Sequence, residues 1–239
     1  MRVGVTLPQF RPSPEPALDA ARAAEAAGLD GVFVFDHVWA IGQPDRPAQS
    51  AWPLLGALAA ETARVAVGTL VARVGLLPPE VLLGNLESLH RMLGPRLVAG
   101  LGTGDRLSEA ENRAVDVPFP PAAERLAALA EACAATRALG ITTWVGGLSA
   151  RVAELARAGA DALNLWAVDP ERVAAEVARG GVEVTWGGVL PPDPGAAADL
   201  LARLRAAGAT WAVCAPPYGA APDPTPAVGM VAGARAALR

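Results

Sequence analysis

Three stretches of this chain follow one pattern. Residues 20–35 read AARAAEAAGLDGVFVF, residues 152–166 read VAELARAGADALNLW, and residues 200–214 read LLARLRAAGATWAVC. Each is an alanine-rich amphipathic run, then a glycine, then a short apolar run rich in β-formers. A 3.6-residue period giving way to a continuous apolar run is one helix-to-strand step. Gly28, Gly159 and Gly208 stand where a helix-capping glycine belongs. Recurrence of such a unit is the mark of an array of βα units.

Extending the pattern gives eight strand candidates, at 3–7, 32–35, 65–70, 97–101, 142–145, 162–165, 182–186 and 211–214. They lie about 20 to 40 residues apart, as βα units require. The first four are mostly continuous apolar, as expected of parallel strands covered on both faces. Helical patterns fill the gaps, and the last, near 228–238, would close an outer ring. The expected fold is α/β: a compact (β/α)8 TIM barrel occupying residues 1–239 as a single domain. An open doubly wound sheet shares the same periodicity. The proline-rich stretches 118–121, 191–194 and 216–226 read as loops within that domain.

Composition narrows the chemistry. All 20 basic residues are arginine, so Schiff-base, Walker-lysine and class I aldolase chemistry are excluded. A net charge of −4 gives no electrostatic basis for binding nucleic acid or an anionic membrane. Two cysteines, Cys133 and Cys214, cannot make a disulfide-dense secreted fold, and two histidines, His37 and His90, are too few for most zinc sites. Hydrophobic residues make up 52% of the chain and charged ones 18%, which favours a packed core over disorder. The apolar stretch at 3–7 is too short for a signal peptide, and no apolar run reaches a membrane span, so a cytoplasmic protein is expected.

In such barrels chemistry sits at the C-terminal ends of the strands. The residues expected there are Gln9; Asp36, His37 and Trp39; Thr69, Leu70 and Val71; Thr103, Asp105, Ser108 and Glu109; Trp144, Gly146, Gly147 and Ser149; Asn164 and Trp166; and Thr185 and Trp186. Trp39, Trp144, Trp166 and Trp186 would gather near one mouth, either as walls for a planar ligand or as a cap on the core. His37 is the foremost acid–base candidate, because histidine ordinarily titrates near 6.5, and Asp36 could orient it. Asp105 could divide acid and base roles with it, or cap the following helix. Gly146 and Gly147 precede a helix near residue 150, whose N-terminal amides suit a phosphate, with Ser149 as hydroxyl donor or N-cap. Cys214 lacks a thiolate-stabilising neighbour and reads as buried. His90 lies in a helix pattern and reads as part of the outer layer.

Taken in order, VGVTLPQF, AAEAAGLDGVFVFDHVW, LGALAAETARVAVGTLV, GPRLVAGLGTGDRLSE and TTWVGGLSARVAELARAGADALNLW resemble the bacterial luciferase-like monooxygenase superfamily. Its members are TIM barrels that use reduced flavin or the deazaflavin coenzyme F420. DHVW and GTGDRLSE are most similar to the F420-dependent oxidoreductase branch. That resemblance implies His37 as the proton-transfer residue and Asp105 in place of a family glutamate. It implies Asp36, Thr69, Leu70, Val71, Ser108, Gly146, Gly147 and Ser149 around the coenzyme, with a non-prolyl cis peptide in the strand-three bulge. Trp39, Glu109 and Trp186 are the candidates for substrate contact. The implied activity is hydride transfer between F420 and a small organic substrate; a homodimer is common in the superfamily. The alternatives are an FMN-dependent monooxygenase, a barrel that binds cofactor without chemistry, and a TIM-barrel isomerase or lyase acting on a sugar phosphate. The chain departs from the usual pattern at Leu77-Pro78-Pro79, at Asn85, at Gly94-Pro95, and in carrying the shorter Asp105 and Ser108.

Overall fold

A computed structural model describes residues 1–219 and 223–238. The strands are β1 (Arg2–Thr6), β2 (Gly31–Val34), β3 (Ala66–Thr69), β4 (Ala72–Arg73), β5 (Leu97–Gly102), β6 (Thr142–Gly146), β7 (Ala162–Trp166), β8 (Glu183–Val189) and β9 (Trp211–Ala215). All pair in parallel, in the order β3-β2-β1-β9-β8-β7-β6-β5-β4, and a further β3–β5 pairing closes the ring. The sheet is therefore closed, as expected of a (β/α)8 barrel. The helices are α1 (Glu15–Ala26), α2 (Ala51–Glu61), α3 (Pro79–Leu93), α4 (Glu109–Ala114), α5 (Ala122–Ala138), α6 (Ala150–Gly159), α7 (Pro170–Arg179), α8 (Pro194–Ala206) and α9 (Thr225–Ala236). No helix among the described residues is long and apolar enough to cross a membrane. Part of the 216–226 proline-rich loop lies outside the described residues.

β3 and β4 are two halves of one barrel strand. Gly68 pairs with Val98 and Ala72 with Leu101, so four steps on one strand face three on the other. The extra residue is a β-bulge, and the Leu70–Val71 peptide within it is cis.

The repeated pattern has a hydrogen-bond counterpart. Val3 N donates to Asp30 Oδ2 at 2.7 Å, tying the start of β1 to the start of β2. Thr143 N donates to Asp161 Oδ2 at 2.8 Å and does the same for β6 and β7. Gly28 and Gly208 follow their helices with φ of +73° and +89°, the left-handed turn that glycine adopts most readily. Gly159 departs from the expectation. It is the last residue of α6, and Ala160 after it is extended, so no glycine cap is made there.

Alternate residues of each strand face the helices and the barrel interior. Val3, Val5, Val32, Val34, Leu163 and Leu165 pack outward in the large core against the helices. A separate inner cluster holds Phe33, Val98, Trp144, Trp211 and Val213. Phe33 stacks on Trp144 at 5.3 Å and meets the edge of Trp211 at 5.9 Å. Room for these rings comes from glycine: a Cβ on Gly31 would stand 2.9 Å from Phe33 Cε2 and 3.0 Å from Trp211 Cζ3. The barrel is thus plugged by an aromatic floor.

Candidate active site

Above that floor, at the C-terminal strand ends, opens a cavity of about 660 Å³. Its position follows from Gln9, which is fully buried. Phe35 N donates to Gln9 Oε1 at 2.6 Å, and Gln9 Nε2 donates to the Phe35 carbonyl at 2.8 Å. The side chain thereby continues the β1–β2 ladder past its last strand pair and fixes where Asp36 and His37 emerge.

His37 lines the cavity. Its Nδ1 lies 2.8 Å from Glu111 Oε1, and Val38 N donates to Glu111 Oε2 at 2.7 Å. Arg73 Nη2 approaches the same Oε2 at 3.4 Å, while its Nη1 donates to the Ser108 carbonyl at 3.1 Å. Glu111 and Arg73 are both almost completely buried. Burial alone would raise the Glu111 carboxyl. The His37 hydrogen bond, the His37 charge, the Val38 amide and Arg73 together outweigh it and hold the group below the ordinary carboxylate range. Glu111 is therefore an anion clamped to one ring nitrogen, leaving Nε2 to serve a ligand.

Asp36 does not reach the His37 ring by a hydrogen bond. Its Oδ2 accepts from Arg73 N at 3.0 Å, joining the end of β2 to β4. Burial raises its carboxyl, against the opposing pull of the Arg73 amide and charge. Asp105 lies on the cavity wall, but its Oδ1 caps the turn that follows, accepting from Leu107 N at 2.8 Å and Ser108 N at 3.1 Å. Asp105 N in turn donates to Ser108 Oγ at 3.3 Å, which makes a reciprocal capping box.

Leu70, Val71, Gly146, Gly147, Ser108 and Ser149 all line the cavity; Thr69 does not, and its hydroxyl donates to the Gly100 carbonyl at 2.7 Å. Val71 is held by glycines, since a Cβ on Gly102 or Gly146 would come within 2.5 or 2.7 Å of its methyl carbons. Ser149 caps α6 by accepting from Val152 N at 3.3 Å. The first turn of α6 faces the cavity beside Gly147, with amides that the helix cannot itself satisfy.

The tryptophans divide by strand parity. Trp166 lines the cavity. Trp144 belongs to the floor below it. Trp186 points outward into the helix-facing core and donates Nε1 to the Val168 carbonyl at 2.8 Å. Trp39 is half-buried and stands apart from the cavity lining. Glu109 also stands outside, paired with Arg113 at 3.0 Å one helical turn on. Cys214 is buried, and burial pushes its thiol up to about 12.

Two residues went unread in the sequence, Glu111 and Arg73. Helical phase was the available signal for Glu111. Ser108, Glu111 and Asn112 form one buried face, whereas Glu109 has an arginine four residues later.

The arrangement suits a planar, phosphorylated ligand. It offers an apolar Leu70–Val71 ledge, the edge of Trp166, an anion-receptive helix start, and one histidine backed by a carboxylate. Among the described residues no cluster of histidine, cysteine and carboxylate side chains is placed to hold a metal ion.

Comparison with known proteins agrees with this layout. Part of the chain is 34% identical, over 147 residues, to an F420-dependent glucose-6-phosphate dehydrogenase of Beutenbergia cavernae. That match takes in 61% of this chain and 42% of the relative, so the likeness spans less than half of the relative's length. A protein of the same description from Kineococcus radiotolerans is 38% identical over 121 residues, 50% of this chain and 35% of that one. Among solved structures, an F420-dependent secondary alcohol dehydrogenase in complex with an F420-acetone adduct superposes with a TM-score of 0.82 at 15% identity, covering 100% of this chain and 99% of that one. The coenzyme F420-dependent tetrahydromethanopterin reductase of Methanopyrus kandleri gives 0.76 at 14% identity, with 97% of each chain covered. Residues 1–180 match the family described as luciferase-like monooxygenase, which is most of the barrel and every cavity-lining residue, and the chain belongs to that family.

Proposed function

We propose that this chain is a deazaflavin-dependent oxidoreductase that uses coenzyme F420 to oxidise or reduce a small organic substrate, with His37 as its acid–base residue. The observation that carries the proposal is the His37–Glu111 pair, a buried ionised carboxylate holding one imidazole nitrogen at the wall of an apolar cavity. The chain's relatives bearing F420 in their names support the choice of coenzyme.

Bound F420 would supply a ring carbon able to exchange a hydride with a substrate carbon. The protein's own work is the proton. Glu111 keeps the Nδ1 hydrogen of His37 engaged, so in the neutral imidazole the free lone pair lies on Nε2. That lone pair takes the hydroxyl proton of an alcohol as its carbon is oxidised, and the resulting imidazolium is stabilised by the Glu111 charge. In the reductive direction the same nitrogen returns the proton. Arg73 keeps Glu111 ionised and, through its amide, holds Asp36. Leu70, Val71 and Trp166 exclude water from the reacting face, and Gly146, Gly147, Ser149 and the start of α6 would hold the phosphate. In this reading Asp105 and Ser108 shape the wall through their capping box.

The test is a titration of the protein with oxidised F420 and separately with FMN, followed by turnover of wild type and His37→Ala. Micromolar or tighter binding of F420 in preference to FMN is expected. His37→Ala should lower turnover about 100-fold, the usual scale of acid–base loss, with coenzyme affinity little changed. Preference for FMN, or near-wild-type turnover in the variant, would overturn the reading.

A further inference from the structure

We propose that the substrate is an uncharged alcohol with an apolar body, or the corresponding ketone or aldehyde, and that phosphorylated sugars are disfavoured. This rests on the oxidoreductase reading above and narrows it.

The first argument is charge. Among the described residues lining the cavity, Arg73 is the one arginine. It is 4% exposed; its Nη1 and Nη2 are engaged with Ser108 and Glu111, and its Nε, which has no partner, is closed off from the cavity. Asp36 and Asp105 line the same cavity, and Glu111 stands directly behind His37. The fixed charge around the reacting end is therefore negative on balance. A phosphate dianion entering there would give up its hydration without gaining a free cation. The anion-receptive start of α6 is taken by the coenzyme in this reading. Arg11 and Arg46 do lie nearby, but they line a separate cavity of about 220 Å³. Phe10 and Phe35 line both cavities and are stacked at 6.1 Å, so they form the partition. Arg46 Nε donates to the Phe10 carbonyl at 3.1 Å, and Arg11 donates to the Gly219 carbonyl.

The second argument is the wall itself. Phe35 meets the edge of Trp166 at 5.5 Å and lies 6.4 Å from the His37 ring. Phe10 and Ile41 complete this corner. Part of the neutral polar lining is engaged internally: Asn164 Nδ2 donates to Thr185 Oγ1 at 2.9 Å, Thr103 Oγ1 donates to the Gly104 carbonyl at 3.0 Å, and Ser149 Oγ accepts from Val152 N at 3.3 Å. A polyhydroxy body would leave its hydroxyls poorly matched, and such mismatch discriminates strongly. An apolar body gains from the same surface. The reaction balances as oxidation of a carbinol to a carbonyl, with its hydride passing to the coenzyme and its hydroxyl proton to His37.

Two readouts test this. With coenzyme-loaded protein, F420 reduction is followed with cyclohexanol and with glucose 6-phosphate. A kcat/KM at least 100-fold higher for cyclohexanol is expected. With the protein alone, the His37 ring resonances are followed by NMR as cyclohexanone or glucose 6-phosphate is added; only the ketone should shift them. Ile41→Arg, which places a cation at the rim, should narrow the kinetic preference at least tenfold. Equal or better turnover of glucose 6-phosphate, or a His37 shift with it and none with cyclohexanone, would overturn the proposal. So would the absence of both turnover and shift for the neutral ligands. If F420 fails to bind, the coenzyme reading falls, and the NMR arm still decides the ligand class.

Discussion

Replacing Glu111 with glutamine probes stability and chemistry at one atom pair. Glu111 receives His37 at 2.8 Å, the Val38 amide at 2.7 Å and Arg73 at 3.4 Å, from a side chain that is 1% exposed. Glutamine retains the shape and removes the charge, which strands a buried guanidinium. Breaking one side of a buried ion pair costs about 3–5 kcal/mol, and Ser108 still holds part of Arg73, so about 3 kcal/mol is expected. The cost depends on pH. The Glu111 carboxyl is held below its ordinary value of 4.5, so its contribution is full above that pH and is lost as the pH falls through the folded-state value. Urea unfolding should show a gap between wild type and Glu111→Gln at pH 7 that shrinks below pH 4.5. Turnover should fall about 100-fold, because the imidazolium loses its counter-charge. The double variant with His37→Ala should be little worse than His37→Ala alone, since the two act as one unit. Turnover of Glu111→Gln within threefold of wild type, or additive effects in the double variant, would refute the assignment of Glu111 to His37.

Glu176 in α7 is fully buried among Arg157, Arg172 and Arg179. Burial pushes its carboxyl up, but the Arg157 hydrogen bond and the three charges outweigh it; Glu176→Gln leaves behind three arginines that water can reach, so a loss of about 1–2 kcal/mol is expected at pH 7 by urea unfolding, shrinking in acid. Asp36 is the opposite case, because burial raises its carboxyl above the ordinary 3.8 and the ionised form costs stability as the pH rises. Asp36→Asn should therefore gain on wild type in stability as the pH rises above the ordinary 3.8; a gap that is constant with pH would count against that. Trp166→Phe should remove most of the tryptophan fluorescence change on coenzyme binding, and Trp186→Phe should leave it intact, since Trp166 lines the cavity and Trp186 points away from it.

Most of the barrel was legible in the sequence because strand and helix periods differ and glycine marks the junctions. All eight predicted strands lie within a few residues of those observed. The break at Leu70–Val71 was carried by family likeness alone; no local propensity announces a bulge whose partner strand lies about 30 residues on. The site was harder, because position at a strand end does not settle facing. Trp166 and Trp186 sit near equivalent ends of neighbouring strands, yet Trp166 pairs with Gly187 and Leu165 with Trp186, so one ring points in and the other out. Glu109 and Glu111 differ in the same way on a helix, where two positions are about 200° of turn. Asp105 and Ser149 were read with both a site and a capping role in view, and both make the caps.

The aromatic floor sets a rule of traffic. Phe33, Trp144 and Trp211 seal the tube beneath the cavity, so the barrel is a cul-de-sac and not a passage. Two ligands that share a blind chamber cannot come and go independently once one lies across the other. Whichever settles deeper must arrive first and depart last. Kinetics should therefore obey a compulsory order, with the outer ligand's product competing for the doorway before the inner one can be exchanged.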